Sequence, residues 1–182
     1  ILFYAIASET QNLGRDWNRA DREAYLSLVP LSNNRILHEI TRPKSPRAYF
    51  SCFASGLRNA RIYHDLLLFN LYDIEYPEIV AEIADFLLQI EGVKIILGIG
   101  RYGGEGVLSM RTSSPDLHAG KLIQSIVAGL GTAGGHGMTA GGQIRPMPAS
   151  LADQHAVEKQ LVERLLDQLK LLWVEPETLI AN

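Results

Sequence analysis

The apolar positions change rhythm several times from residue 61 onward, and each change predicts an element. Arg61–Tyr72 carries Ile62, Leu66, Leu67, Leu68, Phe69 and Leu71, a strand-like run. Pro77 can open a helix in which Ile79, Val80, Ile83, Phe86, Leu87 and Ile90 fall on one face, and Gly92 ends it. Val93–Leu97 is a short, continuous apolar strand, Gly103-Gly104 supplies a turn, and Val107–Thr112 reads as the returning strand. Ser114-Pro115 then opens a helix through Leu122, Ile123, Ile126 and Val127. A glycine-rich loop follows, with Gly142–Arg145 as a final strand. The last element is a long helix with Leu161, Leu165, Leu169 and Leu172 on one stripe and Glu158, Lys159, Glu163, Arg164 and Lys170 off it. The order strand, helix, strand, strand, helix, strand, helix predicts an α/β fold of the mixed, α+β kind: a small mixed β-sheet with helices packed on it.

The first 60 residues read differently. Ile1–Ala7 is apolar and reads as a core element entered midway, so upstream sequence is expected. Gln11–Asn18 is a polar loop, Ala20–Leu28 is rich in helix formers and stops before Pro30, and Ser32 can cap a short helix reaching Ile40. The run Thr41-Arg42-Pro43-Lys44-Ser45-Pro46 is the best linker candidate, and Pro46 suits the first turn of a helix running to about Asn59. The expected organisation is therefore a helical fragment of a second domain over 1–40, a linker helix over 41–60 and the sheet domain over 61–182.

Composition narrows the partners. The chain has 182 residues, is 47% hydrophobic and 20% charged, and has a net charge of -3. It has no bulk attraction for nucleic acid or anionic lipid, so any polyanion site must be local. The single Cys52 excludes an internal disulfide and fits a cytoplasmic location. No apolar run approaches the ~20 residues that span a bilayer, so no membrane partner is expected.

Chemistry concentrates in Ala133-Gly134-Gly135-His136-Gly137-Met138-Thr139-Ala140-Gly141-Gly142, where five glycines surround one histidine. Without Cβ atoms, successive amides can turn toward a ligand and form an anion-binding concavity, to which histidine adds a hydrogen bond or a charge. The competing reading is a tight turn with His136 merely hydrogen-bonded in it. Gly98-Ile99-Gly100-Arg101-Tyr102-Gly103 matches G-x-G-x-x-G, but the chain continues as hairpin and strand where a dinucleotide fold requires a helix. In Ser109-Met110-Arg111-Thr112, alternation puts Arg111 and Ser109 opposite Leu108 and Met110. Arg111 is then either a solvated charge or a bidentate phosphate ligand. No nucleophile elbow, P-loop or metal-binding histidine spacing occurs, so no catalytic residue and no metal ligand is assigned. His64-Asp65 reads as a surface pair, and Glu9 and Asp16 as acids of a solvated loop.

These residues carry a resemblance. Residues 133–141 are similar to the G-G-G-H-x-x-A-A-G motif of the substrate-binding domain that accompanies DHH-family phosphoesterases. Gly134, Gly135, His136, Ala140 and Gly141 match, while Ala133 and Thr139 depart by small residues. Leu108–Thr112 resembles the family's V-S-L-R-S strand, with Arg111 on its arginine. Ala5-Ile6-Ala7-Ser8-Glu9-Thr10 resembles the G-I-x-x-D-T segment that closes the catalytic domain in the RecJ-like and nanoRNase branch. The resemblance implies that residues 1–40 are the tail of a catalytic DHH domain and that 61–182 form the associated substrate-binding domain. It implies two manganese ions in the parent protein, held by H-x-D-x-D and D-H-H motifs that are not in this sequence, and hence no cofactor on this chain. Arg111, Gly134, Gly135, His136, Ala140 and Gly141 would hold a nucleotide or short-oligonucleotide phosphate. Glu9 stands where the family has aspartate. Its extra methylene moves a ligand oxygen by more than ~1 Å, against a tolerance of ~0.2 Å, so it is not taken as a ligand.

The resulting expectation is the substrate-binding part of a manganese-dependent phosphoesterase acting on short oligonucleotides, cyclic dinucleotides or nucleotide phosphates, inactive without its catalytic domain. The alternative is a non-catalytic RNA-binding module, because related small domains end alanyl-tRNA synthetases. A homodimer through the helix of residues 150–172 weighs least, since its apolar stripe can be satisfied by its own sheet.

Overall fold

The computed structural model describes residues 1–14, 17–42 and 44–180, and divides into two compact units, Ile1–Pro46 and Arg47–Asn182. Asp16 and Pro43 of the polar loop and the linker lie outside the described residues.

The first unit is helical: α1 (Leu2–Glu9), α2 (Arg19–Leu28), a 3-10 turn (Val29–Leu31) and α3 (Asn34–Thr41). Asn18 caps α2 by accepting from the amides of Ala20 (2.8 Å) and Asp21 (3.2 Å), while Asp21 accepts from the Asn18 amide at 2.9 Å. The cap of α3 is Asn33 rather than Ser32, whose hydroxyl donates back to the Val29 carbonyl at 2.8 Å. The opening apolar run is a helix, but none of the three helices fully buries a side chain.

The second unit is a seven-stranded sheet with helices on both faces. Helix α4 (Arg47–Asn59) precedes β1 (Arg61–Tyr63) and β2 (Leu66–Asp73). Then come α5 (Glu78–Leu87), β3 (Ile95–Tyr102), β4 (Glu105–Thr112), α6 (Ala119–Val127), β5 (Gly131–His136), β6 (Thr139–Ile144), α7 (Leu151–Gln168) and β7 (Glu177–Thr178). The strand order is β5-β6-β4-β3-β2-β1-β7. Only β2 and β3 run parallel, joined through α5 as a parallel pair requires. The mixed α/β fold class read from the sequence is the observed one.

The two faces of the sheet are unequally covered. On the back, α6 and α7 pack on Leu66, Leu68, Ile95, Leu97, Leu108, Met110, Ala140 and Ile144. On the front, α5 packs with Leu67, Phe69, Leu71 and Ile96, and Tyr49, Cys52, Phe53 and Leu57 of α4 close over the same cluster. Helix α4 is thus a layer of this fold. Strands β2 and β3 are buried on both sides and read as continuous apolar runs, whereas β6 alternates buried and unburied positions. That alternation marks the limit of the front helices, which have their sheet contacts on β2, β3 and β4.

Three local outcomes differ from the sequence pattern or sharpen it. The G-x-G-x-x-G segment is the β3–β4 hairpin, with Gly103 and Gly104 both at positive φ (56° and 85°) as a two-residue turn demands. The last helix ends at Gln168, and Leu172 is exposed beyond it after Lys170 turns the chain at φ 59°. The segment expected as a glycine loop is the β5–β6 hairpin. Its glycines carry no apolar alternation, which is why the strand pattern is invisible in the sequence.

That hairpin is seated on α6 by a contact that only hydrogen at Gly120 permits. A Cβ there would stand 2.6 Å from the Gly135 carbonyl oxygen. Gly120→Ala returns up to ~1 kcal/mol of helix propensity. It forces backbone against backbone, for which overpacking costs of about 1–3 kcal/mol are usual. The expected net result is a measurable loss of stability in urea, with faster amide exchange in residues 131–144 than in β2 and β3. Unchanged exchange in the hairpin would show that the contact does not hold it.

Candidate functional site

The register across β4, β6 and β5 sorts the candidate residues by face. Ser109 pairs with Gly141 and Arg111 with Thr139, while Gly141 pairs with Gly134 and Thr139 with His136. Directly paired residues share a face. Arg111, Ser109, Thr139, Gly141, Gly134 and His136 therefore stand on the front of the sheet. Met110, Ala140 and Gly135 stand on the back, where Ala140 is 4% exposed within the core. The structure brings Arg111, Gly134, His136 and Gly141 to one surface, buries Ala140 in the core, and turns Gly135, itself exposed, to the rear against Gly120.

The glycines strip this front surface. A Cβ at Gly134 would meet nothing within 4 Å, and one at Gly141 would meet only the Leu108 carbonyl oxygen at 3.7 Å. The result is a shallow groove of about 490 Å³ floored by backbone, lined by Val107, Leu108, Thr132, Ala133, Gly134, Gly141, Gly142 and Gln143. At the hairpin tip, His136 and Gly137 also border a second cavity of about 390 Å³ with His118, Lys121 and Gln124 at the start of α6.

The amides do not form the expected concave loop. Residues 131–136 and 139–144 are paired throughout, and β6 has partners on both sides, so its N–H groups belong to the ladders. Of the two hairpin strands, only β5, at the sheet edge, has alternate amides facing outward. What the sequence suggests as an amide cradle is a bare sheet face, because glycine in a strand removes side chains as well as freeing the backbone.

Arg111 is neither a free surface charge nor an unattached ligand. Its Nε donates to Asp85 Oδ1 at 2.7 Å and its Nη2 to Asp85 Oδ2 at 3.3 Å. Its Nη1 donates to Ser109 Oγ at 2.8 Å and to the Met110 carbonyl at 3.1 Å. The Arg111 side chain is 12% exposed, against 40% for Asp85. Four of the five guanidinium N–H groups are thus committed within the protein, leaving one on Nη2. Asp85 escapes a sequence reading because it lies 26 residues away, beside the apolar face of α5. The only local hint is an acid flanked by Ala84 and Phe86.

The other acids, histidines and the cysteine go elsewhere. Among the described residues no three His, Cys, Asp or Glu side chains come together as a metal would need. Glu9 is exposed at the end of α1. His64 sits in the β1–β2 turn beside Asp65, which also holds Lys94 at 3.1 Å. Burial pushes the Asp65 carboxyl up, but hydrogen bonds from Lys94 and His64 outweigh it and hold it below the usual carboxylate range. His155 reaches the Tyr72 hydroxyl at 3.2 Å. Burial, with Glu75 nearby, pushes the Cys52 thiol up, which disfavours the nucleophilic thiolate. No helix among the described residues is long and apolar enough to cross a membrane.

The chain is similar to known proteins. The profile of the DHHA1 domain matches residues 67–170, more than half of the chain. An uncharacterized protein of Methanocaldococcus jannaschii, MJ1633, is 28% identical over 167 residues, which cover 90% of this chain and 34% of that protein. The crystal structure of an exopolyphosphatase-related protein from Bacteroides fragilis superposes with a TM-score of 0.64 at 15% identity, over 91% of this chain and 49% of that one. RecJ from Thermus thermophilus, in complex with Mg2+, gives a TM-score of 0.44 at 13% identity, over 91% of this chain and 24% of that one. The chain thus spans half or less of the length of these relatives.

The two neighbouring glycines of the hairpin separate surface from packing. Gly134→Ala adds a methyl to open space and is expected to leave stability within about 0.5 kcal/mol, as surface substitutions do. Gly135→Ala drives a methyl into Ala140 and the Thr139 carbonyl. Overpacking of that kind costs about 1–3 kcal/mol. Thermal unfolding of both variants checks this, and equal midpoints would refute the assignment of faces.

Proposed function

The chain belongs to the DHHA1 domain family, and on that premise we propose that it is the substrate-binding part of a manganese-dependent phosphoesterase acting on short oligonucleotides, cyclic dinucleotides or nucleotide phosphates. The observation that carries the reading is the backbone-floored groove on the front of β4, β6 and β5, with Arg111 and His136 at its hairpin end. A flat ligand can lie directly on peptide groups where Gly134 and Gly141 remove the side chains. The remaining Nη2 N–H of Arg111, the Thr139 hydroxyl and the His136 ring are polar groups at the hairpin end of that face, with Thr132 and Gln143 further along it. Hydrogen bonds to an anionic oxygen are the strong ones, and they place charge without moving a proton.

In this reading the chain binds and orients an ester and does not cleave it. Its own residues do not fit a manganese site, since no suitable ligand cluster occurs among the described residues. The metal chemistry is assigned to a catalytic domain of the parent protein, and residues 1–40 to the tail of that domain. The likeness of Ala5–Thr10 to the family's closing segment supports this assignment.

Calorimetric titration of the chain with a 5′-phosphorylated diadenylate tests the proposal. Binding is expected, and Arg111→Ala should weaken it by about 1.5–3 kcal/mol, the range for hydrogen bonds to charged groups. Equal affinity of the variant would remove Arg111 from the site. Preference for a long RNA, with a salt slope reporting many phosphates, would replace this reading with the RNA-binding one.

A further inference from the structure

The geometry points to Asp85 as the positioning residue of the site: we propose that its carboxylate on α5 fixes the Arg111 guanidinium in the orientation that receives the substrate phosphate. The inference rests on the phosphate-binding reading of the front face and adds to it a residue from outside the hairpin and its strand.

A guanidinium is a planar fork of five donors on a stem with several rotatable bonds, and its value to a ligand depends on how much of that freedom is already lost. Arg111 stands near the end of β4, at the margin of an open sheet face, where nothing in the hairpin itself would hold the plane. Asp85 holds it: two parallel bonds, at 2.7 and 3.3 Å, lock the Nε–Nη2 edge. Ser109 Oγ and the Met110 carbonyl lock Nη1 at 2.8 and 3.1 Å. The pairing leaves one donor, on Nη2. Bidentate Arg–carboxylate geometry of this kind adds directional specificity beyond its energy.

Two effects of Asp85 oppose each other. Its negative charge offsets the attraction of Arg111 for phosphate, and its fork removes the ordering cost that a phosphate would otherwise meet. Asp85 is 40% exposed, so water weakens its repulsion of a second anion on the far edge of the guanidinium. The ordering survives that exposure, because the Arg111 side chain is itself only 12% exposed and is held from two sides. Preorganisation therefore prevails, and Asp85 raises affinity. The placement of α5 supplies the group: the helix that covers β3 and β4 ends its coverage there, so its last turn borders the bare face.

The test is a double-mutant cycle on the full chain, with 5′-phosphorylated diadenylate as the probe and Asp85→Asn, Arg111→Ala and the double variant as proteins. Asp85→Asn should weaken binding about fivefold or more, and change it less than about twofold once Arg111 is alanine, because contacting residues are non-additive. The Arg111 Nε–H resonance in 15N-edited NMR should be slow to exchange with solvent in the wild type and be lost in Asp85→Asn. Asp85→Glu keeps the charge, guards against a folding defect and should recover part of the affinity. Binding by Asp85→Asn as tight as wild type or tighter overturns the inference while leaving the site standing. Equal weakening in both backgrounds overturns it in favour of a purely structural aspartate. Absence of binding by the wild-type chain, or no effect of Arg111→Ala, overturns the site reading itself and this inference with it.

Discussion

The seating of the β5–β6 hairpin on α6 is the constraint from which the surface follows. Gly120 and Gly135 meet backbone to backbone, Ala133, Ala140 and Ile144 enter the rear core, and beyond its ladder to β4 the hairpin is packed by helix on its rear face alone. A sheet face held from one side can be left bare on the other without exposing apolar surface, provided its outward positions are small or polar. Here they are Thr132, Gly134, His136, Thr139, Gly141 and Gln143. The bare front face is thus what remains when one face of a strand pair is used for stability and the other is emptied of side chains.

The helices in front complete the design by stopping where they do. Helices α4 and α5 cover the front of β2–β4 and bury Phe69, Leu71, Val80, Ile83 and Leu87. Glycines at 98 and 100 serve this packing, since a Cβ at either would collide with Val80 and with Phe69 or Ile74. These two glycines, which imitate a nucleotide fingerprint in sequence, are consumed by the helix above them. Glycine thus has two opposite uses in one sheet: to let a helix approach and to keep a surface vacant.

Charge follows the same division. The chain is slightly acidic overall, and its most buried arginine–carboxylate fork among the described residues lies at the margin of the bare face. Exposed pairs such as Arg19–Glu23 and Arg35–Glu39 lie along single helices in water and contribute little. The Arg111–Asp85 pair joins β4 to α5 and is shielded on the arginine side, so it fixes geometry as well as charge.

The periodicity of the chain by itself determined the mixed fold, because apolar runs of strand and helix spacing alternate cleanly between residues 61 and 130. Capping and turn chemistry at Pro77, Gly92, Gly103-Gly104 and Ser114-Pro115 marked most of the boundaries there. Residue chemistry also singled out Arg111 and the glycine–histidine run as unusual. The pattern marked only the end of the hairpin, as a strand over Gly142–Arg145, since strands made of glycine have no apolar alternation to read. Only the tertiary structure decided which of those glycines lie on the bare front face and which face α6, because strand register has no trace in composition. Only the structure joined Arg111 to Asp85, whose distance along the chain hides a contact made across a helix–sheet interface.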